Sequence, residues 1–191
     1  LDVVCKYADY IDSVFGEEEG KRRGVPGHEE IELALVRLYN ATGNERYLKL
    51  SKYFIDERGR EPNFYTEVEK TKQYKWQLER HQAHMPVREQ SIATGHSVRA
   101  VYLYSGMADI ATLTNDEKLF EACERLFKSI TERRMYITGG IGSSFFGEVF
   151  TIDYDLQNGS LMYAESCAAM GLVRFASRML NATGDGKYAE V

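Results

Sequence analysis

The chain has 191 residues, 43% of them hydrophobic and 28% charged, with a net charge of −5, enough for one domain with a real core or for a section of a larger one. The acidic balance lacks a basic patch interleaved with aromatics, which excludes nucleic-acid binding, and no apolar run reaches the length of a membrane span. There is no signal-peptide pattern at the start, and three cysteines (Cys5, Cys123, Cys167) without a C-x-x-C pair speak against a disulfide framework and for a reducing, cytoplasmic setting.

Apolar spacing predicts helices over residues 1–15, 27–42, 45–57, 89–112, 116–132 and 160–182. The second carries the stripe Ile31, Ala34, Leu35 and Leu38. The last carries Leu161, Ala168, Leu172, Phe175 and Met179. A shared punctuation joins successive helices: Leu38-Tyr39-Asn40-Ala41-Thr42-Gly43-Asn44, Leu113-Thr114-Asn115-Asp116, and Leu180-Asn181-Ala182-Thr183-Gly184-Asp185. Each copy has an apolar helix end, a Gly or Asn suited to the left-handed C-terminal conformation, and an Asn or Asp able to cap the next helix. That is a short antiparallel helix-helix turn, repeated. The run Leu1-Asp2-Val3-Val4-Cys5-Lys6-Tyr7 resembles the start of the second helix of such a pair. Its alignment makes Cys5, Ser51 and Cys123 equivalent small, inward positions, so Cys5 and Cys123 read as packing residues.

The fold class expected is therefore all-α, an α/α toroid of antiparallel helix pairs. Residues 1–191 form one domain that reads as a fragment of a larger toroid, truncated at both ends, with unpaired apolar faces at the cut edges through which it could associate. Most of the 13 tyrosines are assigned to helix-helix contacts, and the sequons at Asn40, Asn158 and Asn181 are read as structural. Two long interruptions, 58–88 and 133–159, are the places to look for function.

The second interruption holds the Gly-rich run Ile137-Thr138-Gly139-Gly140-Ile141-Gly142-Ser143-Ser144, which lacks the spacing of a phosphate loop. Glu148 follows between Phe146 and Phe150. A carboxyl in an apolar pocket has a raised pKa and can act as a general acid. A solvated loop glutamate is the other reading, and the residues alone leave both open. Glu165 falls on the stripe of Leu161, Ala168 and Leu172, where a buried carboxylate needs a partner. Cys167, two residues on, would complete half of a zinc site. His28, three residues before Ile31, and His96, four before Ala100, extend inner helix faces and together suggest a polar pocket. His81 and His84 could be a pocket rim or plain surface.

Six runs in order, Val25-Pro26-Gly27-His28-Glu29-Glu30-Ile31, Gln82-Ala83-His84-Met85-Pro86-Val87-Arg88-Glu89-Gln90, Gly95-His96-Ser97-Val98-Arg99-Ala100, Thr138-Gly139-Gly140-Ile141-Gly142, Gly147-Glu148-Val149-Phe150 and Tyr163-Ala164-Glu165-Ser166-Cys167, resemble the β-L-arabinofuranosidases of glycoside hydrolase family 127. The resemblance spans the whole chain. It implies an (α/α)6 barrel and a retaining hydrolase acting on arabinose-containing oligosaccharides, with a cysteine nucleophile held on zinc by one Glu and three Cys. It implies Glu148 as general acid/base, Glu165 and Cys167 as zinc ligands, and His28 and His96 as substrate-binding residues. The family's adjacent Cys-Cys pair is absent from these 191 residues, and the spacing from Glu148 to Glu165 is one residue longer than the pattern. The fragment alone is therefore expected to be inactive and to bind zinc weakly. A sugar epimerase on the same barrel, using paired histidines, and a non-catalytic helical scaffold are the alternatives.

Overall fold

The structure, a computed structural model, describes residues 1–70 and 74–191. Among the described residues the α-helices are α1 (Asp2–Val14), α2 (Ile31–Thr42), α3 (Glu45–Glu57), α4 (Lys75–Arg80), α5 (Ser97–Thr114), α6 (Glu117–Arg133) and α7 (Ser166–Thr183). The repeated punctuation does what its chemistry predicts. Gly43, Asn115 and Gly184 end α2, α5 and α7 in the left-handed conformation. Asn44, Asp116 and Asp185 then accept hydrogen bonds from the backbone N–H groups of Arg46, Leu119 and Lys187.

Helix α5 is the hub and packs against α2, α3, α6 and α7. That explains why its buried residues, among them Val98, Val101, Leu103, Tyr104, Met107 and Ile110, go all round it rather than forming one stripe. Each fully buried side chain of this kind contributes roughly 1.5–3 kcal/mol. On α7, Ala168, Leu172, Phe175 and Met179 are buried as expected. A second cluster, Ala8 with Leu35, Leu38, Tyr47, Leu50 and Phe54, joins α1 to the α2–α3 pair. Ser51 and Cys123 are fully buried, and Cys5 packs against that second cluster. Apolar side chains are exposed along α1 (Leu1, Val3, Val4, Tyr7, Tyr10) and on α7 (Met170, Val173). Among the described residues no helix is long and apolar enough to cross a membrane.

Three helices begin later than the periodicity predicts, and the reason is tertiary. Residues before Ser97 pair with the distant Glu148 segment: the Ser97 N–H donates to the Glu148 carbonyl at 3.0 Å, and the Phe150 N–H to the Gly95 carbonyl at 2.9 Å. Gly95 takes φ +73° there, and a Cβ on it would lie 1.9 Å from the Glu79 carbonyl oxygen, so only glycine fits. Likewise the Tyr163 and Ala164 N–H groups donate to the Ser143 and Gly142 carbonyls, which keeps residues up to Glu165 out of α7. Leu161, assigned to an inner face from spacing, is consequently exposed, as is Ile92. Helix α2 starts at Ile31 rather than 27, so His28 lies on a turn and is not a core residue; its neighbour Glu29 is the buried one. Ala34 is exposed as well, because α2 buries Leu33 and Val36 beside Leu35 and Leu38 to meet both α3 and α5. The interruption at 58–88 contains α4 and a π-helical turn at Phe64–Val68.

Candidate active site

The pairing that delays α5 and α7 also builds the site. Residues 95–97, 142–150 and 161–164 are stitched side by side through backbone hydrogen bonds, and they carry His96, Glu148 and Tyr163. Within this patch Glu148 and Ala164 take positive φ, 58° and 48°, conformations that cost non-glycine residues free energy and cluster at functional sites.

Glu148 is held from two sides. His96 Nε2 lies 2.7 Å from one carboxylate oxygen, and the Tyr163 hydroxyl donates to the other at 3.0 Å. The side chain is 37% exposed, Phe146 is exposed and Phe150 is buried in the main core. Of the two readings that the residues left open, the apolar pocket around Glu148, with the raised pKa that it would cause, is therefore not found. The Tyr163 hydrogen bond, helped by His96, holds the Glu148 carboxyl below the usual carboxylate range.

Tyr163 also sits 3.0 Å from Glu165 Oε2. A phenol has one proton, so it cannot donate to two carboxylates at once. Both contacts are satisfied together when one of the two carboxyls is protonated and donates to the phenol oxygen. The Glu148–Tyr163–Glu165 chain can thus hold an acidic proton at Glu148 or pass it away. The carboxylates on either side push the Tyr163 hydroxyl pKa up, which keeps the phenol neutral.

His96 is buried, with Nδ1 unpartnered among the described residues. Burial pushes its pKa down, while Glu148 opposes that. A neutral ring with its proton on Nε2 matches the donation to an ionised Glu148. The His28 ring packs edge-on against His96 at 5.9 Å between centroids and against Tyr102 at 6.4 Å. His28 is 39% exposed at the side chain, so it borders the site from the α2 side. The structure thus brings His28, His96, Glu148 and Glu165 into one neighbourhood, and Tyr163, whose role was not foreseen, is the link.

Below them lies a buried ionic cluster that spacing did not reveal. Arg58, fully buried, pairs with Glu29 at 2.7 Å and Glu32 at 3.7 Å. It donates to the carbonyls of Pro26 at 2.7 Å and His81 at 2.9 Å. One guanidinium thereby fastens the turn bearing His28 to the loop bearing His81. The two glutamates three residues apart, Glu29 and Glu32, at the start of an apolar stripe were the available sequence signal for it. Burial pushes the Glu29 carboxyl up to about 7. His81 contacts Arg99, stacks on Tyr65 at 5.0 Å, and is pushed down to about 4 by burial and the neighbouring arginines. His81 and His84 are both half-buried, so neither is plain surface.

Glu165 occupies the position before the first turn of α7, not a buried stripe, and Cys167 is exposed in that turn. Carboxylate and thiol are suitable zinc donors, and together they make two of the four that a structural zinc ion takes. Among the described residues no group of three His, Cys, Asp or Glu could hold a metal ion.

The sequence matches the family described as β-L-arabinofuranosidase, GH127 catalytic domain, over residues 1–191. It is 46% identical to the non-reducing end β-L-arabinofuranosidase of Bifidobacterium longum subsp. longum, covering 100% of this chain and 30% of that protein. The fold is similar to the crystal structure of a GH127 β-L-arabinofuranosidase from Geobacillus stearothermophilus T6, with TM-score 0.93 and 53% identity over 99% of this chain and 31% of that one. A GH127 β-arabinofuranosidase structure aligns with TM-score 0.87 and 43% identity over 98% of this chain and 27% of that one. The chain therefore spans about 30% of the length of the curated relative it matches.

Proposed function

Because the chain belongs to the β-L-arabinofuranosidases of glycoside hydrolase family 127, matching their catalytic domain across residues 1–191, we propose that the protein is a retaining hydrolase that releases L-arabinofuranose from β-L-arabinofuranosides. The observation that carries this reading is the Glu148 carboxyl gripped by His96 and Tyr163. Protonated through the Tyr163 link, Glu148 gives its proton to the glycosidic oxygen as the bond to the anomeric carbon breaks and a cysteine thiolate bonds to that carbon. The Glu148 carboxylate then takes a proton from water, whose oxygen displaces the sulfur and frees the sugar. The lowered pKa suits the second half. The first half uses the proton that the Glu148–Tyr163–Glu165 chain can store.

Cys123 is not that nucleophile: it is fully buried and its thiol pKa is pushed up by burial. The nucleophile is assigned to a cysteine outside these 191 residues. Glu165 and Cys167 would hold a zinc ion together with donors from elsewhere in the protein. When bound, zinc lowers a thiol's pKa and orients it. His28 and His96 border the sugar, and the neutral His96 ring also orients Glu148.

Glu148→Gln in the full-length protein tests the reading. Turnover of an aryl β-L-arabinofuranoside should fall on the order of 10²- to 10⁴-fold, and unchanged turnover sinks it. The paired histidines would also suit a sugar epimerase; an epimerised sugar in place of released L-arabinose would favour that alternative.

A further inference from the structure

We propose that the groove beside the Glu148 loop, between Trp76 and Phe146, is a subsite for the leaving-group sugar of the substrate. The inference rests on the hydrolase reading and deepens it. The groove has a volume of about 410 Å³, within the range of roughly 300–1,000 Å³ typical of small-molecule sites. Trp76 is 62% and Phe146 74% exposed, so neither ring is spent on the core. Glu79 and Arg80 supply polar groups, and Gly95 and Gly147 lie in the lining. Large apolar faces with a few polar groups beside them match a sugar ring, whose C–H faces stack on aromatics while its hydroxyls take hydrogen bonds.

Position ties the groove to the chemistry. Gly95 and Gly147 each immediately precede a site residue, His96 and Glu148. Arg80 lines the groove, its charge also acts on both Glu148 and His96, and its backbone carbonyl accepts from the His96 N–H. A general acid must face the leaving oxygen, so the leaving group has to lie on the side of the Glu148 loop, and this groove borders that loop.

The test compares Trp76→Ala and Phe146→Ala in the full-length protein on two substrates: a β-linked L-arabinofuranosyl disaccharide and methyl β-L-arabinofuranoside. The disaccharide KM should rise roughly 3- to 10-fold per lost ring, while kinetics on the methyl glycoside, which has no second sugar, hold. A disaccharide KM unchanged in both variants overturns the subsite. So does an equal loss on both substrates, because the rings would then serve the centre as a whole. A wild-type protein that cleaves neither substrate refutes the hydrolase reading itself, a result distinct from either.

Discussion

His96 Nε2 meets Glu148 Oε2 at 2.7 Å although the two residues stand 52 positions apart in the chain. The backbone enforces the meeting, since the Ser97 N–H is bonded to the Glu148 carbonyl and the Phe150 N–H to the Gly95 carbonyl. Hydrogen bonds to a charged group contribute about 1.5–3 kcal/mol. His96→Ala should therefore lower kcat/KM on an aryl β-L-arabinofuranoside roughly 10- to 100-fold. A variant with full activity would remove His96 from the site.

Tyr163→Phe probes the link between the carboxyls. The hydroxyl is the largest cause of the lowered Glu148 pKa, so its removal lets that pKa rise. The protonated form of Glu148 then survives to higher pH, and the alkaline limb of the kcat/KM profile should move upward. A limb that stays or moves down contradicts the arrangement.

The buried cluster sets stability. Arg58→Ala leaves Glu29 and Glu32 buried without their cation, and breaking a buried pair in this way costs about 3–5 kcal/mol. Urea unfolding of the full-length protein should show that loss. An effect below about 1 kcal/mol, the scale of an exposed ion pair, would mean that the cluster is solvated.

Glu29 adds a pH dependence. Its folded pKa is raised from 4.5 to about 7, so between those values the folded state binds more proton than the unfolded one. The resulting contribution is full below pH 4.5 and is lost as pH rises to about 7. Other carboxylates slope the opposite way, so the difference between wild type and Glu29→Gln is the quantity to follow. Wild-type stability should fall relative to the variant from pH 4.5 to 7, and a parallel pair of curves would contradict the raised pKa.

The sequence by itself determined the helix pairs. Gly43, Asn115 and Gly184 with Asn44, Asp116 and Asp185 act within a few residues, through φ preference and a capping side chain, and such local signals need no knowledge of the fold. The six ordered runs also identified the family and singled out Glu148, His28, His96 and Glu165, which the structure gathers into one neighbourhood. Tertiary structure decided where α5 and α7 begin, because backbone pairing with residues 142–150 outcompeted helical continuation at 89–96 and 160–165. It likewise decided the direction of the Glu148 pKa. Phe146 and Phe150 suggested an apolar pocket, but a carboxyl's proton affinity depends on which donors reach it, and His96 and Tyr163 arrive only through the fold. For the same reason the Arg58 cluster could not be assembled from sequence: its members come from three separate segments, residues 26–32, Arg58 and His81, and the spacing of Glu29 and Glu32 records neither of the other two.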